Sequence, residues 1–122
     1  MDKDIKVGFV GGDARQIFCA EKLAEKGIET ALYGFDKYTG DIGLCTRSIC
    51  LEDALEMAEA VVLPLPATHD GICVNAPLSD KCINLCGVFE RAGECKKVLY
   101  GGACSKIEQL ATEHGITSYD YY

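Results

Sequence analysis

Apolar and polar positions along the chain repeat a strand-then-helix pattern. Ile5 to Val10 is a β-branched apolar run ending in Gly11-Gly12, and its length and flanks predict a buried strand. Asp13 follows as an N-cap, with Gln16 three residues on in the place of a capping-box partner. Ile17, Ala20, Leu23 and Ala24 then recur at helical spacing, and Gly27 suits the left-handed position that closes a helix. A second strand is predicted at Ile28 to Tyr33, broken by Gly34-Phe35-Asp36. The stretch from Lys37 to Cys50 is less regular, with room for a short edge strand around Leu44 to Ile49.

Leu51, Ala54, Leu55 and Ala58 have helical spacing, and Ala60 to Leu63 reads as the third strand. Pro64 and Pro66 end it, because proline cannot donate to a central ladder. A long loop from Leu65 to Leu78 leads to Ser79, the predicted cap of a helix whose apolar face is Cys82, Leu85, Cys86 and Phe89 before Gly93. Lys97 to Tyr100 is the fourth strand, closed by Gly101-Gly102. Ser105 and Glu108 form a capping box for a helix with Ile107, Leu110 and Ala111 inward; Gly115 ends it and Ile116 to Tyr119 is the fifth strand. Strands alternating with helices, without repeat or linker, predict one α/β domain over residues 1–122, a three-layer α/β/α sandwich on a five-stranded parallel sheet. Right-handed crossovers favour the flavodoxin-like order 2-1-3-4-5. Tyr119, Tyr121 and Tyr122 cluster at the abrupt C-terminus with no polar tail, which predicts a boundary with more protein following.

Composition narrows the partners. Apolar residues make up 48% and charged residues 25%, an ordinary globular balance. A net charge of −7 with no basic cluster argues against nucleic acid, whose phosphates demand grouped Lys and Arg. No apolar run approaches the roughly 20 residues of a membrane span. Met1-Asp2-Lys3-Asp4 leads straight into the first strand, so no signal peptide is expected and the location is cytoplasmic. Eight cysteines stand out in a chain of 122 residues, yet none forms a C-x-x-C pair. Cys82 with Cys86, and His69 with Cys73, are spaced i, i+4, but nothing completes a tetrahedral set, so no metal is expected. The cysteines read as small buried hydrophobes in a reducing cytosol, and a thiol titration is expected to find all eight free.

In open parallel sheets, ligands sit beyond the carboxyl ends of the strands where the strand order reverses, here between the first and third strands. Gly11, Gly12, Asp13, Ala14 and Arg15 lie at that edge, with Pro64 to Asp70 opposite and Gly101, Gly102 and Ala103 next along. Paired glycines allow close backbone approach, helix N-terminal amides favour an anion, and Arg15 can clamp a carboxylate or phosphate. An equally physical reading makes Gly11-Gly12 a tight turn, Asp13 a cap and Arg15 its ion-pair partner. A free Asp13 carboxylate would repel an anion unless the cap occupies it. His69 is either a general acid or base or a solvated loop residue; Thr68 is a candidate donor to a substrate carboxylate. His114 suits a helix C-terminus, while Arg47 and Arg91 suit solvated faces. A G-x-G-x-x-G fingerprint, a Walker lysine, an aspartate ending the third strand and a G-x-S-x-G elbow are all missing.

Four segments together resemble a known family. They are Val10-Gly11-Gly12-Asp13-Ala14-Arg15-Gln16, Gly34-Phe35-Asp36, Val62-Leu63-Pro64-Leu65-Pro66-Ala67-Thr68 leading to Asp70-Gly71, and Gly101-Gly102. In this order they are similar to the N-terminal part of the dipicolinate synthase A-subunit family. The resemblance implies a two-domain, NAD(P)-dependent oxidoreductase related to D-2-hydroxyacid dehydrogenases. It would oxidise a dihydrodipicolinate-type intermediate of the lysine/diaminopimelate branch to dipicolinate during sporulation. NADP or NAD would bind mainly a Rossmann domain beyond Tyr122. The flavoprotein-like B subunit of dipicolinate synthase would be a partner, with room for a homo-oligomer. Gly11, Gly12, Arg15, Thr68, Gly101 and Gly102 would bind the dicarboxylate, with His69 and Asp13 the candidates for the ring proton. The fragment alone would then be inactive. The alternative from another class is a non-catalytic flavodoxin-like module that binds a small anion or a protein partner.

Overall fold

The computed structural model describes residues 5–92, 97–101 and 105–121. Gly93, Cys95, Gly102, Ala103, Cys104 and Tyr122, which the sequence pattern singles out, lie outside them. The elements run β1 (Lys6–Val10), α1 (Ala14–Glu25), β2 (Glu29–Tyr33), β3 (Thr46–Arg47), α2 (Leu51–Leu55), β4 (Ala60–Val62), α3 (Leu85–Arg91), β5 (Lys97–Tyr100), α4 (Ser105–Glu113) and β6 (Thr117–Asp120). All strands pair in parallel, in the order β3-β2-β1-β4-β5-β6.

The sheet therefore has six strands rather than the predicted five in order 2-1-3-4-5. The sixth is β3, two exposed residues at the sheet edge, inside the Leu44 to Ile49 stretch that left room for an edge strand. Backbone pairing and one arginine hold it: Ser48 N–H donates to Leu32 O at 2.8 Å, and Arg47 donates to Phe35 O at 2.7 Å and Tyr38 O at 3.1 Å. Arg47 is exposed, as a solvated face requires, and also staples the edge strand. The remaining strands lie β2-β1-β4-β5-β6, so the order reverses between β1 and β4.

Two further expectations are corrected between Leu63 and Arg91. Ser79 does not cap a helix; its hydroxyl donates to Lys81 O at 2.8 Å and closes a local turn. Helix α3 begins at Leu85, where Asn84 Oδ1 accepts from Gly87 N–H at 2.8 Å. The thiols are not all free either, because Cys73 and Cys82 form a disulfide with Cα atoms 5.7 Å apart. Their spacing gives no hint of this. The pairing comes from a hairpin-like neck in which Cys73 bridges Asn84 and Val74 N–H donates to Ile83 O at 2.8 Å. Cys19, Cys45, Cys50 and Cys86 are free among the described cysteines.

Apolar burial divides across the sheet. Ile17, Ala20 and Ala24 of α1 pack on Val7, Phe9 and Leu32 on one face. On the other, Leu55, Leu85, Val88, Phe89, Ile107 and Leu110 from α2, α3 and α4 cover Val10, Val61, Val98 and Tyr100. Gly8 lets α2 sit directly on β1, since a Cβ there would lie 2.8 Å from Ala54 O. No helix among the described residues is long and apolar enough to cross a membrane. Leu85 is fully buried at the start of α3, and Leu85→Ala is expected to cost about 2–5 kcal/mol. A urea midpoint that falls with an unchanged slope would agree; a loss below about 1 kcal/mol would mean that α3 contributes little to this core.

Candidate functional site

The switch point is built from a turn that only glycine can make comfortably. Val10 is buried at the end of β1, and the chain then passes through Gly11 at φ +78° and Gly12 at φ +114°. Gly11 N–H still donates to Tyr33 O at 2.9 Å, so the turn remains tied to β2. A Cβ on Gly11 would meet Val74 Cγ1 at 2.7 Å and Asn75 O at 3.2 Å. A Cβ on Gly12 would run into the Gln16 side chain and come within 3.3 Å of Pro64 Cβ. The missing side chains thus bring the β4–α3 loop down onto the turn.

Asp13 then starts α1, and Arg15 N–H donates to its Oδ1 at 2.9 Å. Gln16 does not complete the expected capping box; its side chain fills the space beside Gly12 instead. The Arg15 guanidinium folds back on the same carboxylate, with Nε 3.1 and 3.2 Å from its oxygens and an Nη 3.1 Å away. Hydrogen bonding from the Arg15 side chain is the main reason Asp13 is held below the ordinary carboxylate range. The carboxylate is therefore engaged twice, as cap and as ion-pair partner. Arg15 remains 73% exposed, and its guanidinium carries further N–H donors besides those given to Asp13.

Gly12, Asp13, Arg15, Gln16, Pro64, Leu65, Asn75 and Tyr121 line a cavity of about 180 Å³. Tyr121, just past β6, donates its hydroxyl to Leu63 O at 2.6 Å, and burial pushes its phenol pKa up. Asn75 is fixed by its Nδ2 donating to Pro66 O at 2.9 Å and its backbone N–H donating to Ala67 O at 2.8 Å. Gly101 lies behind this wall, where a Cβ would come 2.6 Å from Leu65.

The structure does not place every candidate in that cavity. His69 is exposed and lines a neighbouring space of about 260 Å³ with Asp70, Cys73, Val74, Asn75, Ala76 and Pro77. Asn75 belongs to both spaces and stands between them. Thr68 is committed within its loop: its hydroxyl donates to Cys73 O at 2.6 Å and accepts from Gly71 N–H at 2.9 Å. Asp70 accepts from the backbone N–H groups of Cys73 and Ile72 at 2.9 and 2.8 Å, which lowers its pKa. Gly102 lies outside the described residues.

Gln16, Asn75, Tyr121, Pro64 and Leu65 complete the wall; none of the five is among the binding candidates, although Pro64 and Leu65 lie in the segment placed at the switch-point edge. Tyr121 carried a usable signal, because it follows the carboxyl end of the last strand. Asn75 carried none, since its place depends on how a long loop folds.

Chemically, the cavity joins an exposed guanidinium, a helix N-terminus and an aromatic wall, a combination suited to a small anion with a flat face. It does not fit a dinucleotide pyrophosphate: Asp13 occupies the amide of Arg15, and the Gln16 side chain fills the space at Gly12. A parallel α/β domain with a glycine turn at its switch point is the class that these features define. The chain belongs to the family of the dipicolinate synthase A-subunit N-terminal domain, whose model matches residues 6–122. Among solved structures, it is similar to the A chain of dipicolinate synthase from Bacillus subtilis, with 25% identity and a TM-score of 0.77. That alignment covers 95% of this chain and 39% of the other. The fold is also similar to the dipicolinate synthase A subunit from Bacillus halodurans, at 24% identity and a TM-score of 0.79, over 93% of this chain and 40% of that one. No curated protein matches significantly. The chain thus spans well under half the length of the solved proteins that it resembles.

Asp13 and Asp70 both have pKa values lowered from 3.8, so each stabilises the fold fully above that value and less as pH falls through its lower folded-state pKa. On acid titration, backbone amides at 15 and at 72–73 are expected to lose hydrogen-exchange protection below about pH 3.8. Asp13→Asn should flatten the first response and Asp70→Asn the second; an unchanged acid profile in both variants would contradict these assignments.

Proposed function

We propose that this domain is the substrate-side wall of a longer NAD(P)-dependent oxidoreductase that converts a dihydrodipicolinate-type intermediate to dipicolinate during sporulation. The supporting observation is the exposed Arg15 guanidinium, held in place by Asp13 at the mouth of the Gly12–Tyr121 cavity, in a chain of this family. A substrate carboxylate would take the further donors of Arg15, and Tyr121 would wall the planar ring. Gly11 and Gly12 would serve by holding the turn open, and Gly101 by supporting Leu65. Thr68 would act through the loop, because its hydroxyl proton is already committed.

The nicotinamide cofactor, NADP or NAD, would sit on the remainder of the full-length protein, since the residues here do not fit its pyrophosphate. Residues 1–122 would then be the N-terminal domain, followed by a Rossmann domain. Orientation and desolvation of the dicarboxylate are the share of catalysis that this domain supplies. For the ring proton, Asp13 is the weaker base, because its ion pair favours the charged form. His69, the other candidate, borders the neighbouring space on the far side of Asn75 and would have to reach the ring past that side chain. The B subunit of dipicolinate synthase is the proposed partner, the lysine/diaminopimelate branch the proposed source of substrate, and the cytoplasm the proposed location.

The Asp13–Arg15 pair favours one competing reading, a non-catalytic module in which the arginine is purely structural. The full-length protein distinguishes the two. Arg15→Ala is expected to raise KM for the dihydro-dicarboxylate about 10- to 100-fold with kcat nearly unchanged and the fold intact. An unchanged KM would return Arg15 to a structural role. His69→Gln should lower kcat with KM little changed, whereas a wild-type kcat would exclude His69 from proton transfer.

A further inference from the structure

We propose that Cys73 and Cys82 form a reversible thiol–disulfide site whose state sets the order of the loop walling the anion cavity. The disulfide closes the neck of the segment from Val74 to Lys81. That neck also has the Cys73–Asn84 bridge and the hydrogen bond from Val74 N–H to Ile83 O. Val74 and Ile83 are buried at its base, but from 75 to 82 every residue is half-buried or exposed. Ala76 and Leu78 rest, half-buried, against the two apolar clusters, but no side chain from 75 to 82 is fully buried, so the order of the segment depends on these two contacts and on its anchors.

The anchors reach the candidate site directly. Leu78 O accepts from Lys37 N–H at 2.7 Å, and Asp80 N–H donates to Asp36 Oδ2 at 3.2 Å. Val74 and Asn75 lie against the position of the missing Gly11 side chain, and Asn75 lines the Arg15 cavity. Breaking the disulfide leaves that wall on its backbone anchors and on the Asn75 bonds to Pro66 and Ala67, with the sheet beneath intact.

The chemistry needs only a dithiol reductant. Cys82 is exposed and Cys73 half-buried, so an incoming thiolate reaches the Cys82 sulfur more readily. Attack there forms a mixed disulfide and expels Cys73 as a thiolate, which takes up a proton. The reductant's second thiol then displaces Cys82, and the reductant leaves as its own disulfide. Two electrons and two protons pass to the cysteine pair, and a disulfide oxidant such as oxidised glutathione reverses the exchange. The preserved neck keeps both sulfurs close, which favours reclosure.

The effect on anion binding rests on the reading of the cavity given above; the change in loop order does not. The full-length protein, purified without reductant, should leave Cys73 and Cys82 unalkylated after denaturation and should expose both after dithiothreitol. On reduction, amide hydrogen exchange across 75–82 is expected to quicken by about tenfold or more, with β1 and β2 unchanged. Oxidised glutathione should restore the slow exchange, and Cys73→Ser/Cys82→Ser should show the fast exchange in either buffer. Full alkylation without reductant, or identical exchange in both states, would overturn the proposal. In parallel, pyridine-2,6-dicarboxylate should bind the reduced form about threefold or more weakly. If it binds neither form while the exchange difference stands, the cavity reading fails and the thiol site remains.

Discussion

The contact between Gly11 and the loop at Val74 to Ala76 is the constraint on which the candidate site depends. A side chain at Gly11 would collide with Val74 Cγ1 at 2.7 Å, so the loop can close over the switch point only because that position is bare. Its closure brings Asn75 to the cavity and sets the space that His69 borders. The same turn redirects the chain into α1 and fixes where Asp13 and Arg15 stand. A single backbone requirement thus joins strand end, helix start and loop.

Electrostatics then decide what such a cavity can hold. An acidic domain has to create positive potential locally to bind an anion, and a carboxylate in the cradle would ordinarily defeat it. Here Asp13 is consumed by the Arg15 backbone N–H and guanidinium, so its charge is offset where it arises. The arginine is in turn pre-oriented, which lowers the ordering cost of gripping a ligand. Under the proposed function, the same pairing would also hold a guanidinium ready for the ligand.

Much of this architecture was legible from the chain. Apolar runs at β1, β2, β4 and β5 and helical spacing in α1 and α4 are strong local signals, and the reversal between β1 and β4 follows from crossover handedness. The edge strand β3 carried only a weak signal, because Thr46 and Arg47 are exposed and their pairing is set by the neighbouring strand. Asn84 displaced Ser79 as the cap because the preceding residues are drawn into the disulfide-closed neck, a long-range arrangement that spacing cannot reveal. At the site, the Gly11-Gly12-Asp13-x-Arg15 turn announced itself by residue type. Gln16 and Asn75 did not, since their roles arise from packing across the loop, whereas Tyr121 was signalled only by its place after the last strand.

The central claim is that a flat dicarboxylate settles between Arg15 and Tyr121. A crystal structure of the full-length protein with pyridine-2,6-dicarboxylate is the most direct measurement. It should show a carboxylate within hydrogen-bond distance of Arg15 and the ring against Tyr121, between Gly12 and Asn75. A ligand held elsewhere, with Arg15 still folded onto Asp13 beside an empty cavity, would contradict that claim.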